Sequence, residues 1–125
     1  ARFWGTPAGI PYAFNSLHKA GTKLLMGSDA PVAPLDPWLA ISAAVFGTES
    51  SDREPFQPEQ CLDFETALAS STAVGRVALR DADAADLVLL DCDPSIIDSP
   101  EAMRAMPEHV LGTMLAGRWT YQQAE

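Results

Sequence analysis

"LLMGSDAPVAP", residues 24–34, sets an apolar run against one aspartate and two prolines. Leu24, Leu25 and Met26 read as the end of a short strand buried on both faces, because continuous apolar runs suit strands covered on each side. Gly27, Ser28, Asp29, Ala30 and Pro31 then break the run. A strand that ended in solvent would need no ionisable group just past its last apolar position. Spacing alone leaves two readings open. A carboxylate beyond the carboxyl end of a parallel strand can ligate a divalent metal or accept a proton. An aspartate in the same place can equally close an Asx turn or cap a helix.

The flanking segments supply the context. "YAFNSLHKAG" (12–21) has Phe14, Leu17 and Ala20 at helical spacing, with Gly21 as a C-terminal cap. "TKLLM" (22–26) follows as the short strand. A helix, a glycine, a strand and another glycine make the alternation of parallel α/β folds. Past the loop, Asp36 caps a helix opened by Pro37, with Trp38, Ile41 and Val45 on one face. Residues 47–60, polar and broken by prolines, form an exposed loop. Asp63 caps a helix whose face is Phe64, Ala67, Leu68 and Ser71 and which Gly75 ends. Residues 1–11, rich in Gly, Pro and aromatics such as Phe3 and Trp4, read as loop.

The last fifty or so residues change character. "ADLVLLD" (85–91) is a strand running into the acidic loop "DCDPSIIDSP" (91–100), and "EAMRAM" (101–106) makes one or two helical turns. "HVLGTMLAGRWTY" (109–121) is a hairpin, with strands Val110–Leu115 and Arg118–Tyr121 about a turn at Ala116-Gly117.

Charge excludes several partners. The 125 residues carry seventeen acids against eight Lys and Arg, a formal net charge of −9. Nucleic acid and anionic membrane surfaces are therefore not expected partners. Residues 1–47 hold two acids and three bases, whereas the remainder holds fifteen acids and five bases. The first part is poor in charge, as a segment packed within something larger would be. Cys61 and Cys92 form no CxxC pattern, so neither a disulfide framework nor a zinc ribbon is expected, and a reducing cytoplasm is the default location. The chain opens on Ala1 rather than Met, which hints at processing or excision.

Four stretches carry a resemblance. "AGTKLLMGSDAPVAPLDPWLAISAAV" (20–45) resembles the last barrel strand and its loop in the amidohydrolase superfamily of metal-dependent hydrolases. The nearest branch hydrolyses N-acyl, N-formyl and related amides. "ETALASSTAVG" (65–75) resembles the final barrel helix, "AADLVLLDCDP" (84–94) the strand returning to a small β-sandwich, and "HVLGTMLAGRWTY" the closing strand pair. The resemblance implies that Asp29 is the metal-site carboxylate and general base, activating water for attack on an amide carbonyl and passing the proton to the leaving amine. It also implies a divalent metal, zinc being expected. The family's other ligands are a His-x-His pair, a bridging lysine and two further histidines, and they lie on strands absent from these residues. His18 and His109 do not replace them, being far apart and read as structural or surface residues.

The remaining candidates read as local structure. Asp91 and Asp93 lack the spacing of a calcium loop and read as strand-end turn residues. Ser28 lacks the second glycine of a nucleophile elbow and is expected to hold the Asp29 loop by hydrogen bonding. Cys61 and Cys92 read as packing residues. Trp38 packs the loop helix or walls a substrate pocket.

The expected fold class is α/β: the C-terminal part of a TIM-type (β/α)8 barrel plus returning strands of a composite β-sandwich. Residues 1–80, including the Asp29 loop at 27–37, would supply the last barrel units, and 81–125 the sandwich strands. A barrel of this kind takes about 250 residues, so these 125 alone are expected to bind metal weakly and to be inactive. The expected partner is a small amide-type substrate. A rival reading is a truncated, non-catalytic module that oligomerises or exchanges strands through an exposed edge at "TKLLM".

Overall fold

The computed structural model describes residues 9–72, 80 and 83–124. In chain order its elements are α1 (Phe14–Lys19), α2 (Pro37–Phe46), α3 (Phe64–Ser70), β1 (Leu87–Leu90), α4 (Pro100–Arg104), β2 (Val110–Leu115) and β3 (Arg118–Gln122). Short 3-10 turns occupy Pro58–Gln60, Pro94–Ile96 and Met106–His109.

The helices start and stop where local chemistry requires. Past α1, the Gly21 N–H bonds the His18 carbonyl at 2.8 Å and the Thr22 N–H bonds the Leu17 carbonyl at 3.0 Å. Gly21 sits at φ 84°, the left-handed turn that this paired closure needs. At α2 the Asp36 carboxylate accepts the Trp38 N–H at 2.9 Å, and Pro37 takes the first helical position, where no donor is required. At α3 Asp63 accepts both the N–H and the hydroxyl of Thr66, each at 2.8 Å. That helix ends at Ser70. Gly75, expected to end it, lies outside the described residues, as do Phe3 and Trp4 of the opening loop.

Packing gathers on α2, which contacts both α3 and α4. The core consists of Trp38, Ile41, Ala44, Leu62, Ala67, Met103 and Met106. Ile41, Met103 and Met106 are no more than 1% exposed, and burying such a side chain contributes about 1.5–3 kcal/mol. The Ser42 hydroxyl, buried beside them, donates to the Pro100 carbonyl at 3.3 Å and ties α2 to the start of α4. Trp38 is thus a core residue, as the packing reading expects.

The strand expected at "TKLLM" does not form. Residues 22–28 carry no strand assignment, and Leu25 is 68% exposed. The physical reason is the ladder. A strand is stable only when its backbone groups pair with a neighbour, and in this segment the Met26 N–H bonds a helix end, the Ser70 carbonyl, at 2.8 Å. No parallel pairing occurs among the described residues, and residues 22–26 offer no strand edge.

The sheet is antiparallel, in the order β1-β2-β3. The expected hairpin is present, with β3 one residue longer than expected. Ala116 at φ 49° and Gly117 at φ 76° both take positive φ, the two-residue geometry that matches strand twist. Their N–H groups are met by the segment before β1: Ala116 donates to the Asp86 carboxylate at 2.7 Å and Gly117 to the Ala85 carbonyl at 3.0 Å. Much of the sheet is open, with Val88, Leu89, Leu115 and Trp119 each at least half exposed. Among the described residues no helix is long and apolar enough to cross a membrane.

Gly47 closes α2 at φ 65°, and a Cβ there would lie 2.8 Å from the Cys61 Sγ and 3.0 Å from the Phe56 carbonyl oxygen. Gly21 has a similar backbone but open space around it. Gly21→Ala should therefore cost only the left-handed strain of about 1–2 kcal/mol, and Gly47→Ala should cost more. Urea unfolding of the two variants measures the difference; equal losses would show that the Cys61 and Phe56 contacts give way freely.

Candidate functional site

Asp29 lies on the loop between residue 26 and α2 with its backbone at φ 53°. Its carbonyl, not its carboxylate, accepts the Val32 N–H at 2.8 Å. Asp36, Asp63 and Asp93 all spend a carboxylate oxygen on a nearby backbone N–H, at 2.9, 2.8 and 2.9 Å. Among the described residues nothing hydrogen-bonds the Asp29 carboxylate, which is exposed. The cap or Asx-turn role, which spacing allowed, is therefore not the one its side chain plays. Nor does Ser28 hold the loop: its hydroxyl makes no hydrogen bond among the described residues. Backbone bonds from Met26 and Val32 do that work instead.

Just before Asp29, Leu25, Met26 and Gly27 line a cavity of about 510 Å³. Its other walls include Tyr12 and Phe14, the Ala40, Ala43 and Ala44 stripe of α2, and Phe56 and Gln57 from the loop after α2, with Thr48, Glu49 and Gln60 as further polar members. Tyr12 meets Phe14 and Phe56 with ring centroids 6.1 Å apart in each case. The lining is mostly apolar, and the lining residue Gln57 has an Oε1 that is buried and has no hydrogen-bond partner among the described residues. A carbonyl oxygen in that state welcomes an N–H donor, because an unmet buried acceptor costs about 1–3 kcal/mol.

The loop that brings Phe56 and Gln57 to this cavity is clamped by α4. Glu101 accepts the Ser51 N–H at 2.7 Å and the Ser51 hydroxyl at 2.6 Å. Arg104 donates to the Glu49 carbonyl at 3.3 Å. A second cavity, of about 530 Å³, is lined by His18, Lys23, Asp63, Glu65 and Thr66 among others. His18 is thus a helix residue bordering a polar hollow.

At the far end of β1 the chain assembles a cluster that single-residue reading missed. Donor atoms of Asp91, Cys92 and His109 all lie within 4.8 Å of one another. His109 Nδ1 is 2.8 Å from Asp91 Oδ1, and the Cys92 thiol faces the Met106 sulfur at 3.8 Å. Partial burial, then the carboxylates of Asp91 and Asp93, push the Cys92 thiol up from its ordinary value. Asp93 behaves as expected of a turn residue, accepting the Ser95 N–H. Asp91 does not, because its side chain turns to His109. The signal was present in the strand pairing: a chain with "LVLLDC" antiparallel to "HVLGTM" brings the end of the first strand to the start of the second. Leu90 pairs with Val110 accordingly.

The two sites differ in metal-binding capacity. Asp29 joins no group of three or more His, Cys, Asp or Glu donors among the described residues. The residues present therefore do not make a metal cage around it.

Residues 3–121 match the model of the family described as the amidohydrolase family. No curated protein and no solved structure matches the chain.

The clamp on the cavity loop has an acid limit. The Ser51 hydroxyl, then its N–H, hold the Glu101 carboxyl at about 2, below its ordinary 4.5. A carboxyl depressed by folding contributes stability that is complete above its unfolded value and lost as pH falls through its folded value. Stability should therefore fall between about pH 4.5 and 2, and Glu101→Gln should flatten that limb. Thermal unfolding across this range checks it; parallel curves for the two proteins would show that the clamp is not proton-linked.

Proposed function

Because the chain belongs to the amidohydrolase family, we propose that it forms part of a metal-dependent hydrolase of amide-type, non-peptide C–N bonds, with Asp29 as the proton-accepting carboxylate. The carrying observation is the Asp29 side chain, which bonds nothing among the described residues. Capping aspartates of this chain have their oxygens engaged, whereas Asp29 stands exposed on the loop at 27–37 with its oxygens available to a substrate or a metal. Zinc would supply Lewis acidity in such an enzyme, and its other ligands would come from outside the described residues. The contribution of this chain is a carboxylate that takes a proton from the attacking water and returns it to the leaving amine.

The cavity beside the loop supports an amide-type substrate of the N-acyl or N-formyl kind. Apolar walls suit an acyl or aryl group, and the orphan Gln57 Oε1 suits an amide N–H. The exposed Val88, Leu89 and Trp119 support the reading that residues 81–125 are sandwich strands that rest on further structure. Residues 1–80 would then supply the last units of a TIM-type barrel.

A reading frame that continues upstream of Ala1 should encode a His-x-His after an apolar strand. In the enzyme so completed, Asp29→Asn should lower kcat on an N-acyl amide by about 10²–10⁴-fold. Its unfolding temperature should stay unchanged, because the carboxylate bonds nothing among the described residues. An Asn variant that retains full activity would remove Asp29 from the mechanism.

A further inference from the structure

We propose that Asp91, Cys92 and His109 form a metal site of their own, taking a thiophilic divalent cation such as zinc with one coordination position left open. This site is independent of Asp29, since it uses a different set of donors. It would also overturn the expectation that this chain alone binds metal only weakly, since that expectation considered Asp29 by itself.

The geometry is close to what such an ion needs. Zinc bonds of about 2.0–2.3 Å to oxygen, nitrogen and sulfur place neighbouring donors about 3.3–3.7 Å apart in a tetrahedron. Here the three donor atoms lie within 4.8 Å of one another, with the nitrogen and oxygen already at 2.8 Å. Side-chain shifts on the order of an ångström convert the one arrangement into the other. The side chains have that freedom, because His109 and Asp91 are 43% and 46% exposed.

The backbone beneath them is fixed. The Asp91 N–H bonds the His109 carbonyl at 3.1 Å, directly beyond the Leu90–Val110 pair that ends the β1–β2 ladder. Cys92 is backed by Met106, a fully buried residue in the turn that leads into His109. Two ligands from one strand end and one from the facing strand start are thus held before any ion arrives. Neighbouring Asp93 gives its Oδ1 to the Ser95 N–H and lies outside this group of three.

The donor set selects the ion. Calcium and magnesium take oxygen ligands, whereas a thiolate with an imidazole and a carboxylate suits zinc or cobalt. Three protein ligands leave the fourth position to water or an incoming donor, the arrangement of exchangeable rather than closed structural sites. On binding, the metal replaces the Asp91–His109 hydrogen bond, and the Cys92 thiol proton leaves to solvent.

The experiment is a Co²⁺ titration of the chain under reducing, chelator-free conditions, followed by displacement with Zn²⁺. The expected result is one equivalent bound with a sulfur-to-cobalt charge-transfer band. Cys92→Ser should abolish the band, while Cys61→Ser and Asp29→Asn leave it intact. His109→Gln should weaken binding by at least about tenfold, and as a half-exposed position it carries the test if Cys92→Ser fails to fold. Absence of the band in the unaltered chain overturns the proposal, as does a band that survives Cys92→Ser or binding unmoved by His109→Gln. Loss of binding in Asp29→Asn alone would instead place the metal at the other site and overturn this one.

Discussion

The burial of one face of α2 against α3 and α4 is the contact on which the other features depend. Ile41 meets the methionines of the later chain, and Ser42 ties the same turn to Pro100. Both ends of the helix are thereby fixed. Its start at Asp36 sets where the Asp29 loop must rejoin regular structure. Its end at Gly47 presses against Cys61 and Phe56 and delivers the loop that walls the cavity. Helix α4 is too short to be stable alone. It is held by Met103 in the shared core, and from there Glu101 and Arg104 reach back to the same loop. The cavity is therefore a product of helix packing at one remove.

Local chemistry was legible in the sequence and long-range pairing was not. The Gly21 closure, the Asp36–Pro37 start and the Asp63 cap each depend on residues within six positions of one another, and each formed as read; the Ala116-Gly117 turn also formed, with Ala85 and Asp86 meeting its N–H groups. The "TKLLM" strand needed a partner strand elsewhere, and periodicity carries no information about whether one is present. Leu25 faces solvent as a result. The Asp91–His109 pair went unnoticed for the related reason that its members are eighteen positions apart. Only the strand register brings them together. Reading histidines singly, rather than with the residues across the ladder, cost the cluster.

The aspartates of this chain show how one residue type divides its roles by surroundings. Asp36, Asp63 and Asp93 stand where the first N–H groups of a helical turn would otherwise lack acceptors. The Thr66 N–H draws the Asp63 carboxyl below its ordinary value, so ionisation and capping reinforce each other. Asp86 performs the same service for the hairpin turn. Among the described residues Asp29 has no such donor, and the Val32 N–H is taken by its own carbonyl. Its carboxylate is left uncommitted by backbone geometry.

Exposure of apolar surface follows the division of charge along the chain. In the charge-poor first part, Val32 and Leu35 are each 81% exposed on the loop around Asp29. In the acidic second part, the apolar residues of the sheet stand open while the carboxylates gather at its ends and turns. Exposed loop valines and leucines cost free energy in water unless something covers them, and a polar surface would have served a free-standing loop better. Trp119 on β3 is in the same position, covering Gly112 on one side and remaining half exposed on the other. Such a surface, beside a carboxylate that bonds nothing among the described residues, is consistent with the proposed role of this loop.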